Sequence, residues 1–98
     1  MVRHIVMWNL QECAAGADKE HNAAKIKEKL EGLVGKIEGL QKLEVGRNIV
    51  PNGYDLCLYS EFDDMEALDF YRTHPLHMEI QKFVHEVITE RVFSDCEI

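Results

Sequence analysis

A short stretch late in the chain combines the side chains best suited to acid–base chemistry. Tyr71 is followed closely by His74, Pro75 and His77. Because proline disrupts a helix, the two histidines are expected on either side of a corner rather than along one regular helix face. Histidine changes charge near neutral pH and a tyrosine hydroxyl can donate a hydrogen bond, so together they can move a proton. The spacing predicts a pocket at this corner.

The beginning of the chain supplies a third imidazole. The first ten residues alternate in character, which places His4 on one strand face with Val6 and Trp8. Because one face of a small sheet packs against helices, we expect His4 to converge there with Tyr71 and His77. In such a crevice a neutral imidazole removes a proton next to a carbonyl, and the tyrosine hydroxyl donates to the developing enolate oxygen.

Each of these residues also has a structural interpretation, and the sequence leaves both open. His74 can cap the preceding helix, whereas Tyr71, Trp8 and His4 can fill the core. Three imidazoles, those of His4, His74 and His77, can in principle hold a transition metal. No carboxylate or cysteine completes a recognisable ligand spacing, so neither a metal ion nor another cofactor is predicted.

Length and composition indicate a single small domain spanning residues 1–98. Hydrophobic residues make up 46% of the 98 residues, which is too many for a disordered chain and enough for one core. No apolar run approaches the roughly 18 residues of a membrane span, and the N-terminus lacks the features of a signal peptide. We therefore expect no membrane partner.

Charge and cysteine content narrow the partners and the compartment. The chain carries 18 acidic and 11 basic residues, and its net charge of −7 argues against nucleic acid, because phosphate binding needs clustered cations. Cys13, Cys57 and Cys96 are odd in number and form no C-x-x-C motif, so neither a disulfide framework nor a zinc site is expected. We interpret them as reduced thiols in the cytoplasm, with Cys57 buried and inert.

Hydrophobic periodicity predicts the element order strand, helix, strand, strand, helix, strand. The first helix begins at Asp18 and ends between Gly35 and Gly39, because glycine disfavours a helix interior. The other expected elements are strands over 2–10, 43–49, 54–62 and 91–96, a short helix from a capping Asp63 to Arg72, and a helix from Pro75 to Val87. This order is typical of a ferredoxin-like domain of the α+β class.

Both faces of the first strand carry apolar side chains. Val6 and Trp8 lie on one face, and Ile5 and Met7 lie on the other. A single layer of helices covers only one face of a sheet, so the second apolar face needs a partner. We therefore expect two subunits to pair.

Three segments of the chain resemble the stress-responsive dimeric α/β-barrel (Dabb) domain family. They are the opening Val2–Trp8, the central Gly53–Leu56 and the His-Pro-x-His corner at His74–His77. The similarity extends over nearly the whole chain, and the corner is its most specific part. The resemblance implies a ferredoxin-like βαββαβ subunit that forms a homodimeric α/β barrel, in which two open sheets pack face to face.

The same resemblance implies a site. A plant member of the family, olivetolic acid cyclase, closes a linear β-polyketo chain by aldol condensation without a cofactor. Its catalytic tyrosine and histidine correspond to Tyr71 and His77, and a pocket histidine corresponds to His4. Two polar pocket residues of that enzyme correspond to Leu56 and Leu30, which implies a less polar cavity in this chain.

These observations predict a pocket for a small apolar or keto compound, with Tyr71 and His77 as the catalytic pair. The residues expected to bind the ligand are His4, Val6, Trp8, Leu30, Leu56, Leu58 and His74. Three functions fit the sequence: a cofactor-independent cyclase- or lyase-like enzyme, a non-catalytic stress-related ligand-binding domain, and a cofactor-free monooxygenase-like enzyme.

Overall fold

A computed structural model describes residues 1–98 and contains a four-stranded antiparallel sheet with three helices. The elements are β1 (Val2–Leu10), β2 (Cys13–Ala14), β3 (Ala17–Asp18), α1 (Lys19–Glu31), β4 (Leu40–Arg47), β5 (Leu56–Phe62), α2 (Met65–Thr73), α3 (Pro75–Val87) and β6 (Ile88–Glu97). The main sheet has the strand order β4-β5-β1-β6, and β2 and β3 form a small separate hairpin. The predicted ferredoxin-like α+β fold of the subunit is confirmed.

The alternation of β1 separates the sheet into two faces. Its even-numbered residues, from Val2 to Leu10, are buried beneath the helices. Its odd-numbered residues include Ile5 and Met7 and lie on the opposite side of the sheet, where no helix packs. We call this second side the open face; Cys57 and Val92 flank Met7 on it as its cross-strand partners.

Helix α1 begins where the sequence predicts and ends earlier. The Asp18 side chain accepts a hydrogen bond from the backbone N–H of His21 at 2.8 Å and so caps the first turn. The helix ends at Glu31, and not between Gly35 and Gly39, because Gly32 already forms the C-terminal cap. The turns that follow still place Leu33 in the core.

Other boundaries also differ from the sequence-based expectation, since β4 begins at Leu40 and not at 43, β5 at Leu56 and not at 54, and β6 at Ile88 and not at 91. Strand β4 stops at Arg47, and Ile49 lies beyond it with 94% of its surface exposed. The cap of α2 is Asp64, which accepts from the N–H of Ala67 at 2.8 Å, whereas the predicted cap Asp63 accepts from the side chain of Gln41. At the start of α2, the residue next to the predicted cap supplies the side-chain oxygen that begins the helix.

A glycine allows the loop before β4 to approach α2 closely. Gly39 has a φ of +87°, and a Cβ atom there would lie only 2.5 Å from the Cβ of Ala67. Only glycine fits this combination of positive φ and close contact. The contact fixes α2, the helix that carries Tyr71, against the end of the sheet.

The prediction that Cys57 is buried is wrong. Cys57 is exposed on the open face. Cys96 is exposed on the same face, and Cys13 is exposed in the small hairpin. The alternation of β5 explains the position of Cys57, because Leu56 and Leu58 occupy the buried face and the residue between them must point away.

No helix has the length and apolar character needed to span a bilayer.

Candidate active site

A recess between the sheet and the helices brings together most of the predicted site residues. Seven of the nine line it, namely His4, Val6, Trp8, Leu30, Leu58, Tyr71 and His77. Gln81, Val84, His85 and Arg91 complete its walls. The strand alternation of β1 and β5 and the helical spacing of α3 aim these side chains into one volume.

The recess is narrow inside and open at its mouth. The cavity volume is about 30 Å³. The inner part therefore holds only one or two water molecules as it stands. A ligand that enters must be small, or slender enough to place one end in the inner part.

Two predicted ligand-binding residues lie elsewhere. Leu56 is buried in the core and does not line the recess. His74 joins α2 to α3: its backbone N–H donates to the carbonyl of Tyr71, and its Nδ1 accepts from the N–H of Leu76 at 3.1 Å. His74 therefore supplies hydrogen-bonding groups to the end of α2 and to the start of α3. Its imidazole caps α3, which is the structural role that the sequence left open.

Tyr71 and His77 pack against each other at the inner end of the recess. Their ring centroids are 4.1 Å apart and the rings are tilted by 35°. The Tyr71 ring also contacts Phe62, with centroids 5.0 Å apart, and only 2% of the residue is exposed. Its hydroxyl makes no side-chain hydrogen bond within the protein, so it is free to donate to a ligand.

The backbone fixes the proton on His77. Its Nδ1 lies 3.3 Å from the carbonyl oxygen of Arg72, which can only accept, so Nδ1 carries the hydrogen. In the neutral ring Nε2 is then the unprotonated nitrogen. The Pro75 corner sets this geometry because it turns the first residues of α3 back towards the last turn of α2.

His4 is held by a second set of contacts. Its Nδ1 hydrogen-bonds to the carboxylate of Asp95, and the other oxygen of Asp95 pairs with the guanidinium of Arg72. Because a carboxylate only accepts, Nδ1 of His4 carries the hydrogen and Nε2 is left as the acceptor. Arg72 therefore contacts both halves of the site, through its side chain to Asp95 and through its carbonyl to His77.

Asp95 and Arg72 are functional candidates that the sequence analysis did not identify. Asp95 is the direct cross-strand neighbour of His4 in the pairing of β1 with β6, so their side chains share a face. The sequence contained the signal, an acidic residue in the last predicted strand. It became recognisable only when the antiparallel register was known.

Burial keeps the two imidazoles neutral and the phenol protonated. Loss of solvent lowers the pKa of His4, although the hydrogen bond to Asp95 opposes this change. Burial likewise lowers the pKa of His77, against the raising effect of the Arg72 carbonyl. Burial raises the pKa of Tyr71, so that its hydroxyl keeps its hydrogen. The site thus combines two neutral bases with one neutral hydrogen-bond donor at neutral pH.

The lowered histidine pKa values predict a loss of stability in acid. Above about pH 6.5 these histidines are neutral in both the folded and the unfolded chain and contribute no pH dependence. Below that pH the unfolded chain binds protons first, so the free energy of unfolding falls by up to about 1.4 kcal/mol per pH unit and histidine, until the lowered folded pKa is reached. Denaturant unfolding between pH 7.5 and 5 checks this expectation.

The matched variant for this measurement is His77→Gln, which removes one of the two groups. It should show a shallower decrease of unfolding free energy with falling pH than the wild type. An identical slope in both proteins would show that His77 has no lowered pKa in the folded state. The carboxylates contribute equally to both slopes, so the comparison isolates the histidine.

The described side chains form no group of three or more histidine, cysteine, aspartate or glutamate residues that could hold a metal ion. The three imidazoles considered from the sequence do not meet, because His74 lies outside the recess. His4 already uses Nδ1 for Asp95 and His77 uses Nδ1 for the Arg72 carbonyl.

Comparison with known proteins places this geometry in context. A family model described as the stress-responsive A/B barrel domain matches residues 2–98. A dimeric protein of unknown function with a ferredoxin-like fold from Bacteroides fragilis is 35% identical; the match covers 99% of this chain and 95% of that one, with a TM-score of 0.85. None of the functionally curated proteins compared with the chain matches it.

More distant solved structures share the fold. A Dabb family protein with a ferredoxin-like fold from Mesorhizobium loti is 22% identical, with 99% and 95% of the two chains covered and a TM-score of 0.77. The hydroxynitrile lyase of Passiflora edulis is 16% identical, with 99% and 92% covered and a TM-score of 0.82. At these identities the likeness extends to the fold alone.

Proposed function

Since the chain belongs to the stress-responsive A/B barrel domain family, we propose that it is a homodimeric, cofactor-independent enzyme that moves a proton on a small keto compound. The observation that carries the proposal is the stacked pair of Tyr71 and His77 at the inner end of the recess, with Nε2 of His77 unprotonated and the Tyr71 hydroxyl unpartnered. The reaction class is proton abstraction next to a carbonyl, followed by formation or cleavage of a carbon–carbon bond.

In the proposed step, His77 is the general base. Its Nε2 takes a proton from the carbon next to the substrate carbonyl, and the electrons of that C–H bond form the enolate. The Tyr71 hydroxyl donates a hydrogen bond to the enolate oxygen as negative charge develops there. The enolate carbon then attacks a second carbonyl, and the protonated His77 returns the proton to the new alkoxide. The reverse sequence cleaves the same bond.

His4, Asp95 and Arg72 position the site. The Asp95 carboxylate orients the His4 ring and fixes its tautomer, in the way that a carboxylate orients the base in other acid–base sites. Arg72 ties this pair to His77. His4 faces the recess with Nε2 as an acceptor and so orients a hydroxyl or enol group of the substrate.

The fold of one structural neighbour agrees with this class of chemistry. The Passiflora protein is named a hydroxynitrile lyase, and cleavage of a hydroxynitrile into a carbonyl compound and cyanide breaks a carbon–carbon bond. This is an analogy of fold, because at 16% identity no residue role can be transferred. It supports the view that a protein of this fold can have lyase activity.

The test is a turnover assay with a panel of small substrates. The panel contains β-keto acids, β-diketones and simple cyanohydrins, and consumption is followed by NMR with freshly purified protein. Conversion of any of them above the buffer rate supports the enzyme. If ligands bind to the recess and none is converted, the enzyme proposal fails, and a non-catalytic ligand-binding domain becomes the better interpretation.

We also propose that the open face forms the interface of a homodimer. Its centre is apolar: Met7 and Val92 are each 37% exposed, and Ile5 lies beside them. The Bacteroides relative is described as dimeric. Two sheets that meet face to face bury these side chains and form the barrel that the family name describes. Within this dimer, residues 1–98 are proposed to form one domain per subunit, in the reducing cytoplasm.

A charge on the open face should disrupt this dimer. Met7→Glu places an unpaired carboxylate at the centre of the interface, and its desolvation costs several kcal/mol. Light scattering at micromolar concentration should give a dimer mass for the wild type and a monomer mass for the variant. The matched control is Met65→Glu, because Met65 is similarly exposed at 42% but lies on α2, on the other side of the sheet. A wild-type monomer, or equal dissociation of both variants, contradicts the interface.

A further inference from the structure

The recess has two chemically different ends. His4 and Tyr71 lie at the end described above, with ring centroids 6.4 Å apart. The Cα atom of Trp8 lies four residues further along β1, about 13 Å from that of His4 at the usual rise of a strand, and the Trp8 side chain lines the same recess. Helix α3 runs alongside, and its residues His77, Gln81 and His85 line the recess in turn because they are spaced by four positions.

A buried hydrogen-bond donor is left over at the Trp8 end. Only 4% of Trp8 is exposed, and its indole Nε1 is inaccessible to solvent and has no partner in the protein. A buried donor without an acceptor destabilises a fold by about 1–3 kcal/mol. Because Trp8 is one of the residues that line the recess, a bound ligand that reaches its indole edge would supply the missing acceptor.

A cation without a carboxylate partner lies beside this donor. Arg91 is the direct cross-strand neighbour of Trp8 in the pairing of β1 with β6, so the two side chains share a face. Arg91 lines the mouth of the recess and is exposed. The ion pairs of the protein leave it unpaired, and its guanidinium lies 4.9 Å from the Phe93 ring centroid. An arginine of this kind readily binds a carboxylate.

The charge of Arg91 acts along the whole recess. It lowers the pKa of His4, of His77 and of Tyr71, although burial is the larger influence on each of them. Arg91 is thus close enough to influence all three residues of the proposed chemistry. It therefore favours a ligand that carries negative charge at one end and reacts at the other.

We propose that Arg91 and Trp8 form an anion subsite that binds the carboxylate of a small linear keto acid, with its carbonyl directed towards Tyr71 and His77. This inference rests on the proposed function, since it names the substrate class of the same site. Arg91 pairs with the carboxylate at the mouth, and the indole N–H donates to it from below. The order of groups along the recess then places the carbonyl, and not the carboxylate, next to the acid–base pair.

The test compares two ligands of nearly the same shape that differ in charge. Levulinate carries a carboxylate where hexane-2,5-dione carries an acetyl group, and levulinate does not decarboxylate spontaneously as β-keto acids do. Trp8 is the only tryptophan in the chain, so its indole N–H gives a single NMR signal that reports on the subsite. Calorimetry gives the dissociation constants.

We expect the wild type to bind levulinate about tenfold or more tightly than the diketone, with a shift of the indole signal, because the ion-paired hydrogen bonds form only with the carboxylate. Arg91→Gln should bind the two ligands about equally. Trp8→Phe should weaken levulinate binding about threefold to tenfold in calorimetry. It should weaken diketone binding less, because a neutral carbonyl is a weaker acceptor than a carboxylate. Arg47→Gln is the charge-matched control, because Arg47 pairs with Glu20 away from the recess.

Several results would overturn the subsite. They are equal binding of the two ligands by the wild type, failure of both to bind at millimolar concentration, or an equal loss of preference in the Arg47 control. Inorganic phosphate that binds as tightly as levulinate would show recognition of charge alone and would overturn the assignment to keto acids. A preference for levulinate without turnover of any substrate would leave the subsite in place and contradict only the proposed catalysis.

Discussion

Replacing His77 with alanine should lower the turnover of the converted substrate by about 10²–10⁴-fold, the usual contribution of a positioned general base. The reason is local: His77 supplies the unprotonated Nε2, and its Nδ1 is already committed to the Arg72 carbonyl. The measurement is the steady-state rate with the substrate that the panel identifies, for the wild type and the variant at the same pH. The loss should appear mainly in kcat, because the proton is transferred in the chemical step.

The corner supplies its own control for this experiment. His74 lies three residues earlier but caps α3 outside the recess. His74→Ala should lower the free energy of unfolding by about 1 kcal/mol, the typical effect of a lost N-terminal cap, and should keep the wild-type rate. If His74→Ala and His77→Ala reduce the rate equally, the corner acts through its structure and His77 is not the base. His77→Gln keeps the approximate size of the side chain. A similar loss of rate in this variant would show that the loss in His77→Ala does not come from altered packing.

Replacing Tyr71 with phenylalanine should lower the rate by about 10²–10³-fold, as expected for the loss of one donor to a developing oxyanion. The same change should leave the free energy of unfolding nearly unchanged. The ring keeps its contacts with Phe62 and His77, and the hydroxyl has no partner in the protein to lose. Rates and denaturant unfolding curves of the same preparation check both halves of this expectation.

Two further variants make the Tyr71 result interpretable. Tyr54→Phe removes a phenolic hydroxyl outside the recess and should change neither rate nor stability. Tyr71→Ala should destabilise the fold by about 3–5 kcal/mol, because it empties a fully buried aromatic position. A Tyr71→Phe protein with wild-type activity would show that Tyr71 is a core aromatic only. The structural interpretation that the sequence left open would then hold.

Arg72 connects the pair of His4 and Asp95 to His77. It is the one residue that contacts Asp95 through its side chain and His77 through its carbonyl. A substitution that breaks the ion pair between Asp95 and Arg72 should therefore change the position of His77, the proposed base, as well as that of His4. Asp95 and Arg72 are positioning residues, and variants at these positions are best compared through their pH profiles and not through rates alone.

Some features of this protein follow from the sequence because they depend on neighbours along the chain. Strand alternation placed His4, Val6 and Trp8 on one face, and the apolar residues Ile5 and Met7 on the other. Helical spacing and the cap at Asp18 predicted α1, and Pro75 predicted the corner between α2 and α3. These rules act within a few residues, so no tertiary information is needed to apply them.

Other features could be decided only by the tertiary structure, because they join residues that are far apart in the chain. The pairing of His4 with Asp95 spans 91 positions and depends on the register of β6 against β1. The same register places Arg91 beside Trp8 at the mouth of the recess. A shift of that register by one residue would turn the side chains of Asp95 and Arg91 to the open face. His4 would then lose its carboxylate partner, and the recess would lose its arginine. Local patterns specify a strand, but only the packed sheet fixes which residues face each other across it.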